Sequence, residues 1–352
     1  MNLVALPGYA EDGSKDPSLD WVTPFERQTG CAVSSTVASA PDDVARLMHT
    51  GEYDGVSASG DVSGRLVADR LVSPINTDLI SSYSQLFPAI KHLPDNTVDG
   101  ITYGVPIGRL ANLLVFQTRQ VVVPREESVS SKLIFDPSVA SAYRGKVSAF
   151  GDPMFIADAA LYLRKHEPDL GIDNIYELDQ DQFNAAIDLL RQQQPNVGTY
   201  WTDSAQNVRA FTRDGAVIGP AWQATIDALL AGRLKIRAAL PEEGATGISE
   251  NWMISSHAPH PNCMYMWMSY ITGARANAEL AENTAQAPAN EHACDLTDDP
   301  AWCDTYRASD EELFHRITYW ATPLQDCGDD RGDTCKSYDD WSRAFSEVMS
   351  GK

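Results

Sequence analysis

Short apolar runs alternate with longer amphipathic stretches along most of the chain. Apolar runs bounded by Gly, Pro or Asp predict buried strands. They occur at residues 3–6, 31–36, 113–116, 216–218 and 236–240. Stretches with apolar side chains every three or four positions predict helices, among them 42–49, 155–164, 181–193, 204–212, 262–272 and 338–349. Strands that alternate with helices in this way predict an α/β fold.

Several side chains that could bind a ligand lie just beyond predicted strands. Tyr9 and Glu11 lie in a Gly-rich loop after the first strand, and Trp222 lies just past a buried run that ends in Gly-Pro. Glu250 and Trp252 follow a Gly-rich turn after a later strand. Open α/β sheets bind ligands at the carboxyl ends of their strands, so these residues are candidates. A plain turn rich in Gly and Asp explains the first loop equally well.

Two further strand ends carry a carboxylate next to a predicted helix. Ser59 and Asp61 follow a small-residue strand and precede a helix, where hydroxyl and amide groups can bind a ligand. Asp152 occupies a similar place in a later strand–helix unit. An Asp at such a position most often caps the helix, so a ligand role for Asp152 needs support from elsewhere.

Arg109 is an unusual residue because it lies just before a fully apolar strand. It is either a buried ion-pair partner or a group that recognises an anion, since the guanidinium fork suits a carboxylate or a phosphate. Both interpretations remain open from the sequence.

Length and charge limit the classes of function. A chain of 352 residues is longer than one hydrophobic core usually holds, which predicts two domains. Its 49 acidic residues outnumber 27 basic ones, giving a net charge of −22, which argues against nucleic acid as a partner. The charge mildly favours a cationic ligand, although a solubilising surface explains it too. No apolar run approaches the roughly 18 residues of a membrane span, and no signal peptide is visible, as in a processed protein.

The cysteines predict disulfides. Four of the six form two close pairs in loop-rich segments: Cys294 with Cys303, and Cys327 with Cys335. Their spacing does not match metal-binding motifs, and crosslinks benefit such loops, so we expect two local disulfides and an oxidising compartment. Cys31 and Cys263 form a third bridge or remain two buried thiols.

Enzyme signatures are missing from the sequence. It has no nucleophile elbow, phosphate-binding loop, zinc-protease motif or dinucleotide fingerprint. We therefore expect no catalytic residues, no metal ion and no cofactor.

The order of weak motifs along the chain resembles the substrate-binding proteins of ABC importers, in particular the spermidine/putrescine-binding branch. The motifs are FERQTGCAV at 25–33, GEYDGV at 51–56, YGVP at 103–106, YRGKV at 143–147, PNV at 195–197, DGAVIG at 214–219 and LPEEG at 240–244. They span most of the chain in the family's order, and the last sixty or so residues match less well.

This resemblance implies a two-lobed periplasmic-binding-protein fold of the type II-like class, with hinge strands between lobes that close on a ligand. We expect lobe 1 to comprise residues 1–112 plus 250–290, and lobe 2 residues 113–249 plus 291–352. The resemblance further implies a small-molecule ligand, permease subunits as partners, a monomer, and a periplasmic or lipid-anchored location outside the bacterial cytoplasm. It implies membrane contact only through the permease or a removed lipid anchor.

The resemblance also implies roles for the candidate residues. In the polyamine branch aromatic rings stack on the methylene chain and carboxylates hold the ammonium ends. By position the implied ligand-binding residues are Tyr9, Glu11, Ser59, Asp61, Asp152, Trp222, Glu250, Trp252 and Gln286.

Two departures from the family pattern bear on the ligand. The usual Trp-x-Asp segment reads Glu250-Asn251-Trp252, with acid and aromatic reversed, and Arg109 occupies a hinge position where an aromatic is common. A polyamine-like cation is the first hypothesis. The alternatives are a zwitterion or anion bound through Arg109, and a secreted enzyme on a two-lobed fold.

Overall fold

The computed structural model describes residues 1–38, 40–124 and 127–351, and the chain divides into two compact units. Unit 1 consists of Met1–Leu110, Ile248–His315 and Tyr319–Thr322, and unit 2 of Ala111–Gly247, Arg316–Thr318 and Pro323–Lys352. The chain passes from one unit to the other within two long strands, Gly104–Ala111 and Ala245–Ile254. The predicted α/β class and the two-lobed architecture are confirmed.

The helices and strands of the structure include those that the sequence pattern predicts, together with others that it did not predict. Up to the first passage they are β1 (Asn2–Ala5), α1 (Val22–Thr29), β2 (Ser34–Val37), α2 (Pro41–Met48), β3 (Gly55–Ser59), α3 (Gly60–Ala68), β4 (Thr97–Val98), β5 (Ile101–Thr102) and β6 (Gly104–Ala111). The next segment contains β7 (Leu113–Gln117), α4 (Lys132–Phe135), α5 (Pro137–Ala140), β8 (Val147–Phe150), α6 (Phe155–His166), α7 (Gln180–Gln193), β9 (Val197–Trp201), α8 (Ser204–Thr212), β10 (Ile218–Ala221), α9 (Gln223–Ala231) and β11 (Ile236–Ala239).

The remaining elements complete both units. They are β12 (Ala245–Ile254), α10 (Pro261–Ile271), α11 (Ala274–Thr284), β13 (Ala287–Pro288), α12 (Trp302–Thr305), α13 (Glu311–Phe314), β14 (Ile317–Tyr319) and α14 (Tyr338–Met349). Every helix in the described ranges is too short or too polar to cross a bilayer.

The sheet of unit 1 has the strand order β13-β6-β12-β3-β1-β2. β1 pairs in parallel with β2 and β3, whereas β12 runs antiparallel to β3. Successive side chains of β12 pack into different cores, because residues alternate between the faces of a strand. Trp252 packs with Phe25 and Trp267 on one face, and Met253 packs with Leu66 on the other. A strand covered on both faces accounts for the complete burial of β12.

The sheet of unit 2 has the order β11-β7-β10-β8-β9. β8 is parallel to both β9 and β10, so their carboxyl ends meet at one edge. Pro220 lies inside β10, although the sequence predicted that the strand would end at Gly219-Pro220. Proline supplies no N–H to the sheet, but the Pro220 carbonyl has a partner, because it accepts a hydrogen bond from Asn207 Nδ2 at 3.0 Å.

Three disulfides link the six cysteines. The two predicted local bridges, Cys294–Cys303 and Cys327–Cys335, are confirmed. The alternative that the sequence left open is resolved in favour of a Cys31–Cys263 bridge, which joins residues 232 positions apart within unit 1.

The domain expectation needs correction, because residues 319–322 and the segment 291–315 belong to unit 1 rather than to the second lobe. Two contacts hold this segment in unit 1. Trp302 Nε1 donates a hydrogen bond to the carbonyl of Gln286 at 2.9 Å, and the guanidinium of Arg109 donates to the carbonyl of Ala308.

Candidate ligand-binding sites

Three buried carboxyl groups of unit 1 lie close together, and we call Asp61, Asp95 and Glu250 the acidic cluster. The pairing of β3 with β12 places Glu250 directly opposite Ser59. Ser59 precedes α3, and its hydroxyl donates to the carboxylate of Asp61 in the first turn of that helix. Strand register thus brings together residues that are far apart in the sequence.

Asp95 joins the cluster from the loop before β4. It accepts a hydrogen bond of 2.6 Å from Asn251 Nδ2, and Asn251 neighbours Glu250 on β12. Burial raises the pKa of Asp95 to about 7. Burial also raises the pKa of Asp61 and, with added repulsion from Asp61 and Asp95, lifts the pKa of Glu250 well above its ordinary value.

The acidic cluster has no cationic partner within residues 1–38, 40–124 and 127–351. Glu250 Oε2 is buried without any hydrogen-bond partner, whereas Asp95 has the side chains of Asn251 and Ser249 as partners. A buried carboxylate without a partner is unfavourable, and its pKa rises until it takes a proton or finds a cation. The cluster is therefore suited to an ammonium group, which supplies positive charge and several hydrogen-bond donors.

Tyr9 and Gln286 border the acidic cluster. The Tyr9 hydroxyl accepts a hydrogen bond from Gln286 Nε2. Burial, and then the charge of Glu250, raise the pKa of Tyr9 well above its ordinary value, so the hydroxyl stays neutral. Both side chains are buried, at 5% exposure each. They add neutral polar groups to a site that is otherwise acidic.

Arg109 is a buried cation in the same unit, with 1% of its surface exposed. Its guanidinium lies between the rings of Phe87 and Phe314, with its central carbon 4.8 and 3.8 Å from their centroids. One terminal nitrogen donates to the carbonyl of Ala308, whereas Nε and Nη1 have no hydrogen-bond partner. Burial lowers the pKa of Arg109 to about 10, partly offset by Tyr319, so it stays charged at neutral pH. The predicted ion-pair partner is not found among the described acidic residues.

The aromatic candidate of unit 2, Trp222, lies at the end of β10 and caps α9. The rings of Phe150 and Trp201, at the ends of β8 and β9, pack against it at centroid distances of 5.6 and 5.0 Å. We call these three residues the aromatic cluster. Trp222 Nε1 donates to Asn112 Oδ1 at 2.7 Å. Trp222 is half-buried, whereas Trp201 is fully buried, so Trp222 is the indole with surface still available.

Three other predicted site residues lie apart from these clusters or in structural roles. Trp252 is 0% exposed and packs edge-on against Trp267, at 5.6 Å between centroids, so the structure places it in the core rather than at a ligand surface. Asp152 Oδ1 accepts from Met154 N at 2.9 Å in the turn before α6, and Met154 rather than Asp152 occupies the N-cap position of that helix. Glu11 is half-buried, and its carbonyl accepts from the amides of residues 21 and 22.

The sequence interpretation missed Asp95 and Asn112. Asp95 lies in a Leu-Pro-Asp-Asn-Thr stretch typical of a turn, and its partner Asn251 is 156 residues away. Asn112 lies between two strands, which gave it the appearance of a connecting residue. Neither position carries a local signal, because long-range strand pairing creates both contacts.

Comparison with known proteins agrees with this arrangement. The family of bacterial extracellular solute-binding proteins matches residues 20–305. The chain belongs to this family. It is therefore an extracellular solute-binding protein rather than an enzyme, as predicted, and proteins of this family bind small solutes. The alternative of a secreted enzyme is set aside.

Individual members of the solute-binding family differ in the ligands their names record. A putrescine/cadaverine-binding protein of Pseudomonas aeruginosa is 22% identical over 284 residues, covering 77% of this chain and 76% of the relative. The crystal structure of the spermidine/putrescine substrate-binding protein PotD from Streptococcus pneumoniae superposes with a TM-score of 0.71 at 14% identity, covering 99% of both chains. The structure of MotA from A. tumefaciens in complex with glucopine gives a TM-score of 0.66 at 16% identity, covering 99% of this chain and all of that one. At these identities the structures show a shared fold.

Proposed function

We propose that this protein binds a small amine-containing cation outside the cytoplasm and delivers it to an ABC importer. The observation that supports this most directly is the acidic cluster of unit 1. It holds three buried carboxyl groups, and Glu250 Oε2 has no hydrogen-bond partner. Such a site is completed by a positive charge.

An ammonium group fits the cluster better than a metal ion would. Asp61 and Asp95 are already hydrogen-bonded to Ser59 and Asn251, which leaves single oxygen atoms rather than a set of converging ligands. An ammonium group needs only a few oxygen acceptors at hydrogen-bond distance, whereas calcium takes six to eight oxygen ligands. The neutral hydroxyl of Tyr9 adds a further polar group at the same place.

The curated relative supports the same ligand class, because its name records putrescine and cadaverine. These compounds carry an ammonium group at each end of a methylene chain. For this protein we propose that Trp222 contacts the methylene chain, since an indole face attracts both apolar groups and cations. Closure around the ligand, a monomeric state and a periplasmic or lipid-anchored location stay predictions from the family resemblance.

Calorimetry with putrescine tests the proposal. Because burial holds the pKa of Asp95 near 7 and raises those of its neighbours, an ammonium group that enters the cluster should displace protons. The measured binding enthalpy at pH 7 should therefore differ between phosphate and Tris buffers, whose ionisation enthalpies differ. Absence of heat and of any melting shift with putrescine, cadaverine and spermidine would overturn the amine proposal.

A second candidate ligand is a zwitterion, which one specific observation favours. Arg109 is a buried cation, and two of its nitrogens have no hydrogen-bond partner. A ligand with an amine at one end and a carboxylate at the other could occupy both the acidic cluster and the free edge of Arg109. The neighbouring structure in complex with glucopine shows that the fold is not restricted to polyamines.

A matched pair of compounds separates the two candidates. Putrescine and γ-aminobutyrate share a four-carbon backbone and differ in one terminal group, ammonium against carboxylate. If the ligand is a zwitterion, Arg109→Met should weaken γ-aminobutyrate by about 100-fold, the loss expected when a buried charge pair is broken. If the ligand is a polyamine, the same substitution should leave putrescine binding unchanged or improved, because a buried positive charge is removed from the unit that binds it.

A further inference from the structure

A chain of hydrogen bonds in unit 2 runs from the candidate stacking residue to a buried carboxyl group. Trp222 Nε1 donates to Asn112 Oδ1 at 2.7 Å, and Asn112 Nδ2 donates to Thr246 Oγ1 at 2.6 Å. The Thr246 hydroxyl then donates to Asp158 Oδ1 at 3.0 Å. We call Asn112, Thr246 and Asp158 the relay.

The direction of these bonds is fixed by chemistry. An indole N–H can only donate, so Asn112 must turn its oxygen toward Trp222 and its NH₂ group toward Thr246. The Thr246 hydroxyl accepts that bond and has one proton left, which it donates to Asp158. When Asp158 is ionised, every donor points toward its carboxylate. The Asn112 amide has one favoured orientation, because a flipped amide would turn its NH₂ group toward the indole N–H.

Burial makes the relay rigid. Asn112 and Thr246 are 7% and 0% exposed, and Asp158 lies in the first turn of α6, where burial raises its pKa to about 7. Hydrogen bonds in such surroundings are stronger than in water. The backbone adds a further link, since Asn112 N donates to the Thr246 carbonyl at 2.9 Å. The half-buried indole of Trp222 is attached to a support that water does not reach.

The ring contacts of Trp222 do not fix its orientation by themselves. The Trp201 ring meets it at 86° and the Phe150 ring at 63°, which are edge contacts rather than parallel stacking. Edge contacts are favoured over a range of ring separations and angles, whereas an N–H···O bond needs its donor and acceptor to be aligned. The bond to Asn112 is therefore the contact that sets the angle of the indole plane.

We propose that Asn112, Thr246 and Asp158 are positioning residues, which hold the indole of Trp222 in the orientation that its ligand requires. The inference rests on the proposed function in one respect, namely that Trp222 contacts the ligand. It adds residues that touch no ligand themselves and that act through Trp222. Preorganisation of this kind raises affinity, because the ring does not have to be ordered when the ligand binds.

Nuclear magnetic resonance of the ligand-free protein tests the relay itself. Trp222→Phe identifies the indole N–H signal of Trp222 among those of the eight tryptophans. Thr246→Val keeps the side-chain shape but removes the hydroxyl, so that signal should shift and exchange faster with water. Thr246→Ser keeps the hydroxyl and should leave the signal in place. An unchanged signal in Thr246→Val would overturn the relay.

Titration with putrescine and with γ-aminobutyrate then tests positioning. Thr246→Val removes a hydrogen bond that orders the indole ring, so its affinity for whichever compound the protein binds should be about fivefold lower. Thr246→Ser should have the affinity of the wild type. Equal affinity of wild type and Thr246→Val would overturn the positioning role even if the indole signal moves. If the wild-type protein binds neither compound, both the amine-binding function and the positioning role are contradicted. The relay is tested separately, by the indole N–H signal of Trp222 in the ligand-free protein.

Discussion

The buried ionisable groups of the two units are partnered in opposite ways. In unit 1 the acidic cluster and Arg109 include buried atoms of ionisable groups without hydrogen-bond partners, namely Glu250 Oε2 and Arg109 Nε and Nη1. In unit 2 the polar atoms around Trp222 form a continuous chain through Asn112 and Thr246 to Asp158. Unit 1 therefore contains buried ionisable groups that lack partners. In unit 2 a complete chain of hydrogen bonds holds an aromatic ring.

This difference indicates two contributions to ligand binding. Unpaired buried charge lowers the stability of the free protein and is relieved when a ligand of opposite charge arrives. A fully hydrogen-bonded network forms no new bond with the ligand, and it contributes to binding by holding a neighbouring side chain in place. We therefore expect substitutions in the acidic cluster of unit 1 to lower ligand affinity and raise the stability of the free protein. Substitutions in the relay of unit 2 should lower affinity less, by changing the orientation of the indole.

The largest expected effect is on stability as a function of pH. Burial raises the pKa of Asp95 in unit 1 and of Asp158 in unit 2 to about 7. Between about pH 4 and pH 7 the unfolded chain has lost these protons and the folded protein retains them. The free energy of unfolding should therefore fall as pH rises through this window, by on the order of 4 kcal/mol for each group.

Hydrogen exchange of the ligand-free protein at pH 5 and pH 7.5, with rates corrected for pH, measures this loss in each unit separately. Unit 1 should lose more, because Asp61 and Glu250 also have raised pKa values. Asp95→Asn should flatten the dependence in unit 1, and Asp158→Asn in unit 2. Equal or rising protection between these pH values would contradict the assignment of unpaired charge to unit 1.

The next effect concerns the disulfides, which differ between the units in the length of chain they close. Cys31–Cys263 spans 232 positions in unit 1, whereas Cys327–Cys335 spans 8 in unit 2. Replacing the first pair by serine should lower the free energy of unfolding by about 5 kcal/mol, and replacing the second by about 2–3 kcal/mol, because a crosslink that closes a longer loop removes more entropy from the unfolded chain. Denaturant unfolding of the two variants checks the order. A larger loss from the second pair would show that strain or residual structure outweighs loop length.

Glu250→Gln should separate binding from stability. The substitution keeps the shape of a buried side chain with an unpartnered oxygen and removes its charge. Putrescine affinity should fall about 100-fold, while the melting temperature of the ligand-free protein should rise, because the variant no longer has a buried carboxyl group to ionise. Calorimetry and thermal unfolding give both values.

Glu243→Gln is the matched control, because Glu243 is a buried carboxylate of unit 2 that is fully hydrogen-bonded. It accepts from Ser130, from the amide of Ser131 at 3.0 Å, and from His166 at 2.7 Å. This variant should lose stability and keep putrescine affinity within about twofold, the opposite pattern to Glu250→Gln. If both variants show the same pattern, the effect of Glu250→Gln comes from burial of the carboxyl group and not from its missing partner.

Local signals in the sequence account for much of the fold. The helices at 204–212 and 338–349 were predicted at the bounds that the structure shows, because each has an apolar face with helical spacing. The strands were located less well. The segment around Glu250 was read as following a turn, whereas it lies within β12, since β6 and β3 on either side supply hydrogen-bond partners that no local pattern reveals.

The candidate sites were only partly predictable, for the same physical reason. Ser59, Asp61 and Trp222 could be found because strand ends and helix starts leave a local trace. Asp95 and the relay depend on contacts between residues more than 80 positions apart, such as Asn112 with Thr246 and Thr246 with Asp158. Trp252 was predicted to bind ligand from its likeness to a family segment, but the alternation of β12 turns its ring into the core.

A smaller effect than that of Glu250→Gln is expected for Trp222→Phe, which tests whether the aromatic contribution of unit 2 depends on the indole. Phenylalanine keeps a ring but has less surface and no N–H for Asn112, so putrescine affinity should fall about tenfold. Trp341→Phe is the matched control in unit 2, since Trp341 is 0% exposed and its Nε1 has no partner to lose. It should lower the melting temperature and leave affinity unchanged. If Trp222→Phe binds putrescine as wild type does, the acidic cluster alone determines affinity, and the contrast between a charged unit and an aromatic one has no consequence for the ligand.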